Sequence, residues 1–219
     1  MALPHLLFAH GWGYDANVWG PVRSRLGDPA CTLWERGYFH EPGFTREPRE
    51  DAPPAPYVAV GHSFGVMHLL KALPPGAIGF ISVCGFARFS AAEGYAGTPV
   101  RVIDRMLQRF DSAPGTVVGE FRGRCGSPPT RVYDYNGEAL REDLVVLRDE
   151  DYRAEAAALQ VPVLSLFGGA DQVVSRAMTQ ASFPTAEHLV APLIGHLLPV
   201  RAPEWCTRQI ADFAGRLGA

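Results

Sequence analysis

Three separated segments of this chain carry side chains that could do chemistry together. The first is Val58-Ala59-Val60-Gly61-His62-Ser63-Phe64-Gly65, an apolar run that stops at a serine held between two glycines. The second places Asp171 just after the apolar run 163–167 and the pair Gly168-Gly169. The third places His196 in Leu193-Ile194-Gly195-His196-Leu197-Leu198-Pro199, just past the last apolar run. A serine hydroxyl is a poor nucleophile until a base removes its proton. A nucleophile on a strand–turn–helix elbow is served by an acid and then a histidine, in the chain order Ser…Asp…His. Ser63, Asp171 and His196 follow that order. Each lies where a strand would end, the edge at which sites on open α/β sheets sit.

G-x-S-x-G alone is a weak signal, so its context has to carry the argument. The strand-like run before Ser63 and the helix-like Val66-Met67-His68-Leu69-Leu70 after it provide that context. A sharp turn there lifts the hydroxyl out of the sheet. Gly61 and Gly65 remove side chains that would clash where strand and helix pack closely. His62 and His68 are too near Ser63 in sequence to reach across the elbow. His5 and His188 lie in or beside strands and read as packing residues. Asp171 could also be only a helix cap after its Gly-Gly turn. An acyl-transfer site further needs two backbone N–H donors for the tetrahedral oxygen. Phe64, after the nucleophile, is one candidate. Trp12, in the glycine loop His10-Gly11-Trp12-Gly13 after the first apolar run, is the other.

These groups require a scaffold of strands alternating with helices. Short apolar runs occur at 6–9, 31–34, 57–61, 78–84, 162–167 and 188–191. Helical stretches are expected at Val18–Leu26, Gly65–Ala72, Ser175–Ala181 and Pro203–Leu217. Runs bounded by Gly and Pro and alternating with helices imply a mainly parallel sheet of about six strands with helices on both faces. From about Phe86 to Ala158 no strong strand run appears. Val100, Ile103, Met106, Leu107 and Phe110 fit an amphipathic helix, and Ala139 to Leu147 another. The chain therefore divides into a core, 1–85 and 159–219, and a helical lid insertion, 86–158.

Composition excludes several classes. With 219 residues, 47% hydrophobic and 20% charged, the chain is an ordinary globular protein with a sizeable core. A net charge of −3 gives no basic field for nucleic acid. Cys31, Cys84, Cys125 and Cys206 form no C-x-x-C pair and read as free thiols of a reducing compartment. The apolar N-terminal run is too short for a signal peptide or a membrane span. A cytoplasmic location is expected.

With these motifs in place, the sequence resembles the α/β-hydrolase family. The H-G-W-G loop, the G-H-S-F-G elbow, G-G-A-D-Q-V-V at Gly168–Val174 and I-G-H-L-L-P at Ile194–Pro199 carry the likeness. It is also similar to the pimeloyl-acyl-carrier-protein methyl ester esterases of biotin synthesis. Asn17-Val18-Trp19 after the loop, C-G-F-A-R-F-S-A at Cys84–Ala91 and H-L-L-P…P-E-W-C at His196–Cys206 carry that narrower match.

The resemblance implies a serine carboxylesterase with catalytic Ser63, Asp171 and His196 and oxyanion donors Trp12 and Phe64. It implies no metal or organic cofactor, a monomer, and an acyl carrier protein as the substrate's bearer. A general short-chain esterase, thioesterase or lyase on the same fold is the alternative enzyme. A non-catalytic hydrolase-fold binding protein is the alternative from another class.

Two features depart from the family pattern. Only a few residues precede the first apolar run, so the opening antiparallel strands are expected to be missing, and Val66 stands where the family often has Gly or Ala, which would disturb helix packing. The insertion is split in charge. Residues 88–131 hold seven arginines against four acids, and residues 132–158 three against eight. Arg101, Arg105 and Arg109 recur at helical spacing on one face. That face is either solvated and paired within the insertion or a docking patch for the acidic carrier.

Overall fold

The computed structural model describes residues 3–41, 44–45, 48–128 and 134–218. Arg131, counted above in the basic half of the insertion, lies outside them. Six strands form one sheet: β1 (His5–Ala9), β2 (Cys31–Trp34), β5 (Tyr57–His62), β6 (Ala77–Val83), β7 (Val163–Gly168) and β8 (Glu187–Ala191). Their order is β2-β1-β5-β6-β7-β8, and every neighbouring pair is parallel. A two-stranded antiparallel ribbon, β3 (His40–Glu41) with β4 (Phe44–Thr45), stands apart from this sheet. The central strands are mostly apolar because helices cover both faces; every residue of β5 is buried.

The core helices are α1 (Gly20–Arg25), α2 (Phe64–Ala72), α7 (Arg176–Ser182), α8 (Leu198–Arg201) and α9 (Pro203–Leu217). The single helix expected over 18–26 is two pieces, a 3-10 turn at Ala16–Trp19 followed by α1. Pro21 explains the break, since it lacks an N–H and suits only the first turn of a new helix.

Between β6 and β7 the chain forms α3 (Val100–Phe110), α4 (Pro114–Arg124), α5 (Gly137–Asp149) and α6 (Arg153–Ala157). Buried polar contacts fasten these helices to the core. Arg36, just past β2, grips the Asp143 carboxylate of α5 with Nε at 2.8 Å and Nη2 at 2.9 Å. The Tyr38 hydroxyl donates to the same carboxylate. The Asn136 amide, at the cap of α5, donates to the Tyr38 carbonyl at 2.8 Å. Arg141 and Arg148 of α5 pair with Asp111 and Asp104 on the α3 side, across the charge division seen in the sequence.

Candidate active site

The nucleophile candidate is built by the junction of β5 and α2. Ser63 has φ 53° and ψ −123°, a left-handed strained conformation for a residue with a side chain. Two close approaches make the turn possible. A Cβ on Gly61 would lie 2.8 Å from Val66 Cγ2, and one on Gly65 only 2.4 Å from the Ala9 carbonyl oxygen. The disturbance expected from Val66 does not arise. Its Cγ2 fits against Gly85, where a Cβ would come within 2.3 Å of it.

Asp171 and His196 reach Ser63 from two loops at the same sheet edge. Gly168 and Gly169 let the loops touch, because a Cβ on either would strike backbone oxygens of 192–195 at 2.3–2.4 Å. Backbone bonds Gly169 N to Ala191 O, 2.9 Å, and Ala170 N to Ile194 O, 3.0 Å, lock the contact. His196 Nε2 then lies 2.9 Å from Ser63 Oγ, and His196 Nδ1 2.8 Å from Asp171 Oδ2. The other oxygen, Asp171 Oδ1, accepts from the amides of Val173 at 2.8 Å and Val174 at 2.9 Å. Burial pushes the Asp171 carboxyl up, but the imidazole and the two amides outweigh it and hold it below its usual range. An ionised Asp171 selects the tautomer with the proton on Nδ1, which leaves Nε2 free to accept from Ser63. The two ring-linked side chains are 1% exposed.

The glycine loop meets the elbow from the other side. A Cβ on Gly11 would be 3.0 Å from both Ser63 Cβ and His62 Nδ1. The segment 11–14 is a turn closed by Tyr14 N to Gly11 O at 3.3 Å, with Gly13 at φ +73° in its third position. Trp12 is the second residue of that turn. The Phe64 amide opens α2, where the first N–H groups of a helix have no partner within it. Both amides expected from the sequence as oxyanion donors thus belong to segments packed on Ser63.

His62 has a place beside this relay without joining it. Its Nε2 donates to the His196 carbonyl at 3.0 Å, and its ring lies 5.1 Å from that of His196. Burial, then the neighbouring His196 charge, lowers its pKa to about 3, so it is neutral at ordinary pH. Cys84 is a second neighbour that sequence reading missed. Its Sγ lies within 4.8 Å of ligand atoms of Asp171 and His196. Burial pushes its thiol well up, so it is a neutral thiol beside the acid. His5 and His188 bond to Thr32 and to the Phe183 carbonyl, as packing residues do.

Arg101, Arg105 and Arg109 are exposed on α3. Arg105 and Arg109 line a shallow groove of about 70 Å³ between α3 and α4, with Arg124 across it. Arg109 makes a two-pronged pair with Glu120 of α4 at 2.7 and 2.8 Å, inside the basic half rather than with the acidic one.

The arrangement can run nucleophilic acyl transfer: a hydroxyl in contact with an imidazole, a base held in one tautomer, and backbone amides in two segments packed on the serine. No protein-family model matches the chain. A biotin biosynthesis bifunctional protein of Cellvibrio japonicus is 25% identical over 244 residues, covering 97% of this chain and 48% of that protein. A pimeloyl-acyl-carrier-protein methyl ester esterase of Methylococcus capsulatus is 29% identical over 205 residues, 78% of each chain. One of Pectobacterium carotovorum is 27% identical over 247 residues, 95% of this chain and 93% of that one. Among solved structures, an esterase from Exiguobacterium antarcticum superposes with a TM-score of 0.81 at 16% identity, covering 98% of this chain and 92% of that one. A thermophilic esterase from Thermogutta terrifontis gives 0.74 at 19%, covering 100% and 92%. The chain has the α/β-hydrolase fold and resembles the pimeloyl-acyl-carrier-protein methyl ester esterases.

Proposed function

We propose that this α/β-hydrolase is a serine carboxylesterase whose substrate is the methyl ester of an acyl chain borne by an acyl carrier protein. The observation that carries the esterase reading is the relay from Asp171 through His196 to Ser63, with its 2.8 and 2.9 Å contacts. Ser63 Oγ attacks the ester carbonyl while His196 Nε2 takes its proton. The developing oxyanion is held by the amides of Trp12 and Phe64, a contribution of about 3 kcal/mol for each such donor. The tetrahedral adduct collapses as His196 returns the proton to the leaving methanol. Water, activated by the same imidazole, then hydrolyses the acyl-enzyme. Asp171 keeps the imidazole oriented and stabilises its charged form.

The methyl ester and the carrier rest on the likeness to relatives that bear that name. The exposed Arg101, Arg105 and Arg109 are the proposed docking face for the acidic carrier, with residues 86–158 as a lid over the serine. Among the described residues no helix is long and apolar enough to cross a membrane. A fluorophosphonate probe should label wild type and not Ser63→Ala, and an unlabelled wild type would refute the esterase. Replacing the three arginines together by Ala should lower kcat/KM on a carrier-linked methyl ester and spare a p-nitrophenyl ester. Equal loss on both would show that the arginines hold the insertion together and do not dock a carrier.

A further inference from the structure

The glycine loop is held from the insertion as well as from the core. Arg122, on α4, donates from Nε to the Gly13 carbonyl at 2.6 Å. Its guanidinium carbon lies 4.3 Å from the Phe39 ring centroid and 5.3 Å from that of Tyr14, so two aromatic faces fix its plane. On the same helix Val118 and Phe121 close over Gly13, each 3.7 Å from where its Cβ would be. Phe121 meets the Trp12 indole edge-on at 4.9 Å. The indole Nε1 donates to the Leu140 carbonyl of α5 at 2.8 Å. Beyond the turn, the Tyr14 hydroxyl bonds to Ser127 Oγ at 2.9 Å. Every residue from Trp12 to Tyr14 is thus gripped by the insertion, while Gly11 rests on Ser63.

We propose that Arg122 is a positioning residue for the oxyanion site: by holding the Gly13 carbonyl it sets the turn that aims the Trp12 amide. This rests on the esterase reading above, in which Trp12 supplies one of the two donors. Gly13 occupies the turn position with positive φ, and its carbonyl shares a peptide plane with the Tyr14 amide, which bonds to the Gly11 carbonyl in the same peptide as the Trp12 amide; without Arg122 the Gly13–Tyr14 plane can rotate and loosen the Trp12 amide through that bond. An oxyanion donor is effective only when it is already aimed. A small tilt of the amide would therefore slow the reaction without changing how the ground-state ester binds. The insertion, in this view, completes the catalytic centre and does more than cover it.

The test uses Arg122→Met, which keeps an unbranched side chain but removes the donor and the charge, and Arg122→Lys, which keeps a charge. Arg122→Met should lose roughly 10- to 100-fold in kcat on a p-nitrophenyl ester with KM changed less than about threefold. Arg122→Lys should recover part of the loss. Affinity for a trifluoromethyl ketone, which forms an oxyanion on Ser63, should fall in step with kcat/KM. Ester binding measured in a Ser63→Ala background should not change. A folded Arg122→Met with wild-type kcat overturns the proposal, as does ketone affinity that does not follow kcat/KM. Those results leave fluorophosphonate labelling of Ser63 intact. Absence of labelling in wild type would instead remove the esterase reading, and the proposal with it.

Discussion

Gly65→Ala adds one methyl group to the second residue of α2, two positions beyond Ser63. A methyl there would lie 2.4 Å from the Ala9 carbonyl oxygen, 2.7 Å from its carbon and 2.7 Å from the His10 oxygen. All three are backbone atoms, so no side chain can swing aside. Restoring an ordinary separation requires about 1 Å of movement between the start of α2 and the end of β1. That movement would part the elements carrying the two proposed oxyanion amides, Phe64 on α2 and Trp12 just after β1. A displacement of about 1 Å at reacting groups costs roughly a hundredfold in rate. Overpacking of this kind costs about 1–3 kcal/mol of stability. Turnover of a p-nitrophenyl ester and urea unfolding should therefore both suffer, with the rate hit hardest. Gly215→Ala is the control, since nothing lies within 4 Å of its added methyl and the site is helical. It should be neutral or stabilising by up to about 1 kcal/mol. Wild-type turnover in a folded Gly65→Ala variant would refute the reasoning.

His62 should leave a signature in stability against pH. Its folded pKa is about 3, below that of an exposed histidine, so the unfolded chain binds the extra proton first. Stability from this group is fully present above the unfolded value of about 6.5 and falls toward pH 3 by up to about 1.4 kcal/mol per unit. Denaturant titrations of wild type and His62→Phe should show a shallower acid slope in the variant; parallel slopes would contradict the assignment. Asp143→Ala removes the buried partner of Arg36 and of the Tyr38 hydroxyl. Arg36 keeps Glu50 at 3.0 Å, so the loss of its two-pronged partner and of the Tyr38 bond should cost about 2–3 kcal/mol, read as a lower urea midpoint, and a loss under 1 kcal/mol would show the clamp to be solvated.

The order of apolar runs was enough to read the strands of the sheet, because each buried strand must be apolar along its length. The elbow was legible for a similar reason: only glycine fits at 61 and 65, whatever the rest of the chain does. Ser63, Asp171 and His196 could be named as candidates because each follows the C-terminal end of a strand, and parallel strands bring those ends to one edge. Helix α4 escaped notice because Gly115, Gly119 and Gly123 interrupt its pattern and weaken its local preference. Arg122 was counted only as one charge among seven. Its bond to Gly13, 109 positions away, depends on how α4 lies across the glycine loop. His62 could be excluded as base from its neighbour position, but its donation to the His196 carbonyl spans 134 residues. Local sequence sets which residues can stand at strand ends and in tight turns, since those demands are steric and act within a few bonds. Which distant carbonyl a buried donor meets is decided only when the insertion packs, because that choice follows from the shape of the closed core.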